Sequence, residues 1–317
     1  SFDTVIAAKV GSALAKALVT PPAALTAGAV AAAARLTPQP GMMDATVAYD
    51  ITAAGTYFAD LLGRLQTQPG GKEMITPEMI TAFSSSLGAW SGAGAFHFGM
   101  SDTAKLQIEG AYGTPDAAKA RAVMQKLLAS MYGETGALAA MNKANGITLK
   151  VTQDVRKSGA TPVDKVEMVI DETKVPPAQL AQIKAMAMGY ELAYAQPMSF
   201  MASDPKVLDA LLAGKQGGMT VAATRTIGPG RNVYLDLNLS AFAHLAGAMG
   251  GPMPQPVKDA LAKLKPSAPI AAAASVGDGR TRQEWRIPVT SILDIVTAVK
   301  AANGKGPAPA PANDPGF

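Results

Sequence analysis

The sequence predicts an α+β fold, built from one or more mainly antiparallel sheets with helices packed on one face. Three observations predict it. Apolar and polar residues alternate in short segments joined by polar turns, as in residues 147–170, which is typical of half-buried antiparallel hairpins. Several helix starts carry a capping side chain followed by proline. The element order strand–helix–helix–strand–strand–helix occurs twice along the chain.

The hairpin over residues 147–170 has the clearest alternation. Its apolar residues recur at every second position in both strands, and a polar turn separates the strands. Successive side chains of a strand point to opposite faces. The pattern therefore predicts that Val151 and Met168 are buried on one face, while Lys150 and Glu167 are exposed on the other.

Three helices have unambiguous starts in the sequence. Thr76, Thr114 and Asp204 each precede a proline. A threonine or aspartate oxygen caps a free backbone N–H, and proline at the first helical position gives up an N–H that has no partner. The predicted helices span residues 76–88, 114–132 and 204–213. Gly214 then occupies the position after the last helix, where glycine commonly terminates a helix.

The two units of matching element order span residues 45–145 and 231–303, and a hairpin-rich middle segment, 146–230, lies between them in sequence. We interpret the units as an internal repeat of two β-α-α-β-β-α lobes that flank the strand-rich middle. Asp50 and Asp236 hold matching positions in the two units, and we interpret both as strand-end or cap residues. A unit of this size has few strands, so two units either share one large sheet or form two similar lobes.

The N-terminal segment, residues 1–44, is predicted to be helical. Apolar residues recur there at helical spacing, on a face that excludes both lysines: Ile6, Val10, Ala13, Leu14 and Ala17. An amphipathic helix packed on the body fits this pattern, and contact with a membrane surface is the alternative. No window holds the roughly 20 uninterrupted apolar residues of a membrane-spanning helix, so we expect no transmembrane span.

The C-terminal tail, residues 304–317, is rich in proline and alanine and has no apolar periodicity. Such a segment is expected to be extended and PPII-like. It cannot fold on itself, so we expect it to lie along a protein partner or a second copy of the chain. The expected contact residues are Pro307, Pro309, Pro311 and Phe317.

Composition favours a globular protein of an oxidising compartment. The chain of 317 residues is 48% hydrophobic and 16% charged, and it has no cysteine alongside 23 prolines and 31 glycines. Because a cytosolic protein of this length usually keeps a few cysteines, we expect a bacterial extracytoplasmic protein, periplasmic or secreted. A chain beginning at Ser1 fits removal of a signal peptide, and an arbitrary boundary fits equally well.

Charge patterning does not favour nucleic-acid binding. The formal net charge is only +4. The densest basic cluster places Arg280, Arg282 and Arg286 on one strand face together with Glu284. No aromatic residue shares that face to stack on bases. We therefore interpret the cluster as a solvated strand face.

The residues that usually carry chemistry are sparse. His97 and His244 are the only histidines and cysteine is absent, so a zinc site would need both histidines together with carboxylates. A Ser-His-Asp triad would also have to use one of them. Neither lies in a supporting motif. We interpret each as a lone surface or core-edge histidine and expect no metal site and no catalytic residue.

Two further motifs have ordinary structural explanations. Ser203 and Lys206 match the S-x-x-K pattern of serine acyltransferases, but a helix cap at Ser203 or Asp204 explains the same residues. Closely spaced methionines could hold Cu(I), although methionine more often fills gaps in apolar cores. These methionines are Met186, Met188, Met198 and Met201. We expect no cofactor.

The expected function is therefore that of a non-catalytic extracytoplasmic structural or interaction protein that is part of an assembly. One alternative is a carrier of an apolar ligand, a lipid or a pigment, bound between sheet and helices, because small residues and methionines in helices can leave an apolar cavity. A second alternative is an enzyme with an unrecognised site. A large apolar pocket would favour the carrier, and ionisable groups clustered in a cleft would favour the enzyme.

Overall fold

A computed structural model describes most of the chain. The described residues are 2–38, 41–71, 75–100, 106–132, 146–176, 180, 184, 189–215, 217–248, 254–265, 267–302 and 304. The tail contacts expected at Pro307, Pro309, Pro311 and Phe317 lie outside them.

Within these residues the chain forms eleven strands and ten helices. The strands are β1 (Phe2–Ala7), β2 (Met43–Ala48), β3 (Ala93–Met100), β4 (Leu106–Gly113), β5 (Ile147–Ser158), β6 (Thr161–Ile170), β7 (Gly189–Ala193), β8 (Met198–Ala202), β9 (Val233–Leu237), β10 (Ile270–Gly277) and β11 (Arg280–Arg286). The helices are α1 (Ala13–Ala17), α2 (Ala23–Ala33), α3 (Ile51–Gln66), α4 (Pro77–Ser86), α5 (Ala117–Tyr132), α6 (Pro205–Leu212), α7 (Ala223–Thr226), α8 (Leu239–Ala248), α9 (Gln255–Ala262) and α10 (Val289–Ala302).

All eleven strands belong to one antiparallel sheet, which confirms the predicted fold class. The strand order is β1-β11-β10-β9-β2-β3-β4-β8-β7-β6-β5. Strand β2 pairs with β9, so the strands of the two units are adjacent and share the sheet. The middle segment supplies β5 to β8, which form one end of the sheet instead of its centre. The interpretation of the two units as an internal repeat stays a prediction.

Helices pack on both faces of the sheet. On one face, which we name face A, buried residues of α2, α6 and α7 contact small and aromatic strand residues such as Ala95, Ala111 and Phe200. On the opposite face B, buried residues of α5 contact Val166 and Leu192. The sequence predicted helices on one face, and the structure adds the layer on face A.

Helix α2 lies close to face A because its residues are small. A Cβ atom placed on Gly28 would come within 2.9 Å of the Ala93 side chain. Ala29, Ala32 and Ala33 are buried against the sheet. Their methyl groups fill the space directly beneath the helix but cannot fill the space along its flanks, so a cavity lies on either side of α2.

The predicted helix caps are confirmed at two positions and wrong at one. Thr76 and Asp204 accept hydrogen bonds from the first turns of α4 and α6. Helix α5, however, begins at Ala117, and Asp116 accepts a hydrogen bond from its first turn. Thr114 is instead buried and hydrogen-bonded to Ser199 of β8. The threonine side chain is engaged by the neighbouring strand and is not free to cap.

The division of residues between the two faces of the hairpin β5–β6 is confirmed, but of the four predicted exposures only that of Lys150 is met in full. Lys150 pairs with Glu167 on one face, and Val151 lies on the other, where it packs with Met201 and other residues of the face B cluster. Lys150 is exposed, whereas Glu167, Val151 and Met168 are each half-buried. Because β5 is the last strand of the sheet, solvent reaches both of its faces.

The prediction of a helix from the first residues of segment 1–44 is wrong. Residues 2–7 form β1, which pairs with β11. Strand β11 would otherwise leave backbone groups unpaired at the sheet edge, and the β-branched Val5 and Ile6 favour a strand there. Helices α1 and α2 follow. No helix in the described part of the chain is long and apolar enough to cross a membrane.

Candidate functional site

A cavity of about 620 Å³ lies on face A between α2, α6 and β8. We refer to it as the Arg35 cavity. Its lining residues are Ala31, Ala34, Arg35, Ser158, Gly159, Thr161, Ala195, Gln196, Pro197, Met198, Phe200, Asp209, Leu212 and Ala213. This volume and a mostly apolar lining with a few polar groups are typical of small-molecule sites.

Arg35 follows the last turn of α2 and forms part of the cavity wall. Its Nη2 donates a hydrogen bond of 2.6 Å to the Leu211 carbonyl oxygen at the end of α6. Its Cζ lies 5.4 Å from the centre of the Phe200 ring, at the distance of a cation–π contact. Its Nε is buried and has no hydrogen-bond partner. In the described part of the chain, no carboxylate forms an ion pair with Arg35.

The end of α6 and Arg35 hold each other in place. Gly214 adopts the left-handed conformation at φ +70°, as predicted for the residue after the helix. Its N–H donates to Leu211, and the N–H of Lys215 donates to Ala210, which is the Schellman pattern. A Cβ atom on Gly214 would lie 3.4 Å from Arg35 Nη2. The partial negative charge of the helix C-terminus thus faces the guanidinium.

The carboxylate on the cavity wall already has partners. Asp209 lies 2.7 Å from Arg156 Nη1, and Arg156 Nη2 lies 2.7 Å from Glu191. A hydrogen bond from Ser158, together with Arg156, holds the pKa of Asp209 below its usual value. Among the described lining residues, Arg35 is therefore the charged group that lacks an oppositely charged side chain.

A second cavity, of about 340 Å³, lies on the other flank of α2. We refer to it as the Arg231 cavity. Its lining residues are Thr26, Ala29, Val30, Ala33, Ala34, Thr46, Ala48, Gly218, Met219, Thr220, Val221, Thr224, Arg231, Asn232 and Tyr234. Arg231 Nη2 lies 3.3 Å from the Glu284 carboxylate. The charge in this cavity is thus neutralised within the protein.

Four ionisable side chains lie side by side in a buried row on face A. Asp236, Asp44, His97 and Glu109 occupy directly opposed positions on β9, β2, β3 and β4. His97 is only 3% exposed, and its Nδ1 lies 2.7 Å from Asp44. The interpretation of His97 as a surface or core-edge residue is therefore wrong, because face A, and not the face with Phe96 and Phe98, is the more deeply buried.

The carboxylates of this row bind the backbone that covers them. Glu109 accepts a hydrogen bond of 2.9 Å from the N–H of Thr37. Asp44 accepts one of 2.8 Å from Gly41. Asp236 accepts one of 2.9 Å from Ala223. These contacts fasten the covering segments to the sheet and seal the row from solvent. Within the described ranges, no three potential ligands are grouped to hold a metal ion.

Asp50 and Asp236 have different roles, although the sequence predicted the same role for both. Asp50 caps α3, as predicted, and accepts hydrogen bonds from Thr52 and Ala53. Asp236 lies within β9, and Asn238 instead accepts the hydrogen bond from the first turn of α8. The pKa of Asp236 is raised to about 6. Burial is the main cause and the nearby charge of Asp44 adds to it, whereas the hydrogen bonds from the N–H groups of Ala222 and Ala223 lower the pKa.

The remaining candidate residues have structural roles. His244 is half-buried, as expected of a core-edge residue, and its Nε2 lies 2.7 Å from the Leu264 carbonyl oxygen. Ser203 accepts a hydrogen bond from Ile108 on the neighbouring β4. Met198 and Met201 are three residues apart on β8, so their side chains lie on opposite faces. Met186 and Met188 are outside the described residues.

The basic cluster on β11 shares one face of the strand, as predicted, and that face is face A. Arg282 forms an ion pair with Asp3 of β1, and Arg286 forms one of 2.5 Å with Glu284. Glu284 is buried, which a fully solvated strand face would not allow. Through Arg282, the cluster thus joins β11 to the edge strand β1.

Sequence reasoning missed Arg35. The available signal was local: Arg35 is the only charged residue between positions 17 and 43, and it directly follows an alanine-rich helix. A lone cation at this position has no carboxylate near it in sequence, so any ionic partner must come from a distant segment or from a ligand. Whether Arg35 has a carboxylate partner depends on the tertiary structure, because α6 and β8, which surround it, are far away in sequence.

No protein-family model matches this chain, and neither the curated proteins nor the solved structures contain a significant match.

Proposed function

We propose that this chain binds an apolar ligand, such as a lipid or a pigment, in the Arg35 cavity between the sheet and its helices. The observation that carries the proposal is the cavity itself. It has the volume of a small-molecule site and apolar walls from Ala31, Met198, Phe200 and Leu212, with a few polar groups at its margin.

The cavity chemistry supports binding better than catalysis. Among the lining residues, Ser158 and Asp209 are the pair that most resembles a nucleophile and a base, since Ser158 donates a hydrogen bond to Asp209. The same hydrogen bond and Arg156 lower the pKa of Asp209, which makes this carboxylate a weak base near neutral pH. The other cluster of ionisable groups, the row containing Asp44 and His97, is sealed beneath its covering segments.

Binding of a neutral fluorescent probe, N-phenyl-1-naphthylamine, tests the proposal. Ala31 and Val30 are both exposed on α2, and each lines only one of the two cavities. Ala31→Phe places a ring in the Arg35 cavity, whereas Val30→Phe places one at the Arg231 cavity. We expect the first variant to lower probe affinity by about tenfold or more and the second to leave it nearly unchanged.

Unfolding by urea should show that both variants remain folded. Failure of the folded wild-type protein to bind the probe, or equal losses in the two variants, would contradict the proposal. Native mass spectrometry of the protein from its own source would then identify the natural ligand by its mass.

A second candidate is the expected role as an interaction protein. Four apolar residues of α10 recur at helical spacing and are 40% to 64% exposed: Val289, Ile292, Leu293 and Val296. A stripe of this kind favours contact with another protein chain. Ile292→Glu should lower the fraction of the protein that elutes as an oligomer or complex in size-exclusion chromatography. An unchanged elution profile would argue against this role. The extracytoplasmic location stays a prediction.

A further inference from the structure

We infer that Arg35 makes the cavity selective for apolar ligands that carry one anionic group, in particular a carboxylate. This inference rests on the proposed function and adds the chemical class of the ligand. It follows from the charge of Arg35, from what surrounds the guanidinium and from the contrast with Arg231.

The guanidinium is partly removed from water without an ionic partner. Arg35 is half-buried between the Phe200 ring and the end of α6. A helix dipole and an aromatic face each compensate only part of a full charge. A ligand carboxylate at the guanidinium would supply the remaining compensation, and arginine binds carboxylates with two parallel hydrogen bonds.

The cavity contains both this cation and a largely apolar wall. Arg35 follows α2, while Met198, Leu212 and the alanines Ala31 and Ala34 supply apolar surface in the same cavity. A carboxylate at Arg35 would leave an attached alkyl chain in contact with these side chains. Asp209 is on the opposing helix but is already paired with Arg156, so it does not compete for Arg35.

The test compares decanoate with decanol, which share an alkyl chain and differ in the anionic group. Binding is measured by calorimetry at about pH 8, where the carboxylate is ionised. We expect wild-type protein to bind decanoate at least about tenfold more tightly than decanol. Arg35→Gln should lose this preference by weakening decanoate binding, with decanol affinity nearly unchanged.

Lys215→Gln is the matched control, because it removes an exposed positive charge next to Gly214 but outside the cavity. It should keep the preference. Arg35→Lys, which retains the charge but not the two parallel donors, should keep part of it. Both variants and the wild-type comparison remain informative if Arg35→Gln fails to fold.

Each outcome decides between the two proposals. Equal affinity of wild-type protein for the two molecules would overturn the inference and leave the proposed function standing, since decanol binding alone supports an apolar site. A preference that survives in folded Arg35→Gln would also overturn it. Binding of neither molecule would overturn the proposed function and, with it, the selectivity.

Discussion

The two cavities beside α2 differ in how their arginine is neutralised. Both exist because a helix of small residues approaches the sheet closely and leaves space along each flank. Each wall contains one arginine whose Nε is buried without a hydrogen-bond partner. Arg231 faces the Glu284 carboxylate at 3.3 Å, whereas Arg35 faces a carbonyl oxygen and an aromatic ring.

The difference shows which arginine is structural and which is available. A charge that is paired within the protein contributes to the integrity of the fold, and removing its partner leaves an uncompensated charge. A charge without such a partner contributes less to the fold and more to what the cavity can bind. Four substitutions test this contrast, beginning with the largest expected effect on stability.

Glu284→Ala should destabilise the protein most. The buried carboxylate binds both Arg231 and Arg286, and its removal leaves two cations without their partner. We expect a loss of about 3 to 5 kcal/mol in the free energy of unfolding, measured with urea. Decanoate affinity in the Arg35 cavity should change little in the folded variant. A loss below about 1 kcal/mol would show that this pair is not the structural one.

Asp236→Asn should remove a pH dependence of stability. The carboxylate fastens residues 222 and 223, next to the wall of the Arg231 cavity. Because the pKa is raised to about 6 in the folded state, this residue contributes stability in full below about pH 4 and loses it as the pH rises through about 6.

Urea unfolding at several pH values checks this expectation. Relative to Asp236→Asn, the wild type should lose about 2 to 3 kcal/mol between about pH 4 and pH 7. Parallel profiles for wild type and Asp236→Asn would show that burial does not raise the pKa of this carboxyl group.

Gly214→Ala should disturb the Arg35 cavity at the end of α6. The residue has φ +70° and its added methyl group would approach Arg35 Nη2 to 3.4 Å. Left-handed backbone costs a non-glycine residue about 1 to 2 kcal/mol. We expect that loss in urea unfolding, together with weaker decanoate binding. Gly11→Ala, at φ +77° in a turn with open space and outside both cavities, should cost a similar amount without the same effect on binding, if the cavity depends on Arg35.

Arg35→Gln should have the smallest effect on stability. The substitution removes the hydrogen bond to Leu211 and the contact with the Phe200 ring, but it breaks no ion pair. We expect a loss of about 1 kcal/mol in urea unfolding. A loss as large as that of Glu284→Ala would remove the distinction between the two arginines, and Arg35 would then be a structural residue as well.

Much of the fold follows from local sequence signals. The alternation in the hairpin near Val151, the caps at Thr76 and Asp204, and the helix end at Gly214 depend on neighbouring residues alone, so sequence patterns predict them. The two units of matching element order were also visible. Their arrangement in one sheet was not, because the pairing of β2 with β9 depends on contacts between residues far apart in the chain.

The candidate site depends on such distant contacts throughout. Arg35, Phe200 and Leu211 come from three separate segments, and no sequence spacing relates them. His97 shows the same limit: in a strand its side chain lies on the face opposite to those of Phe96 and Phe98, but which face is buried depends on where α2 and its following loop pack. Likewise, β1 pairs with β11, a strand that is about 280 residues away in sequence.

A crystal structure of the protein with bound decanoate would decide whether Arg35 binds a ligand carboxylate, because it shows where the ligand lies and what its carboxylate contacts. We expect an alkyl chain in the Arg35 cavity, against Met198 and Leu212, with the carboxylate about 3 Å from the Arg35 guanidinium. Decanoate in the Arg231 cavity, or in the Arg35 cavity with its carboxylate turned away from Arg35, would contradict it.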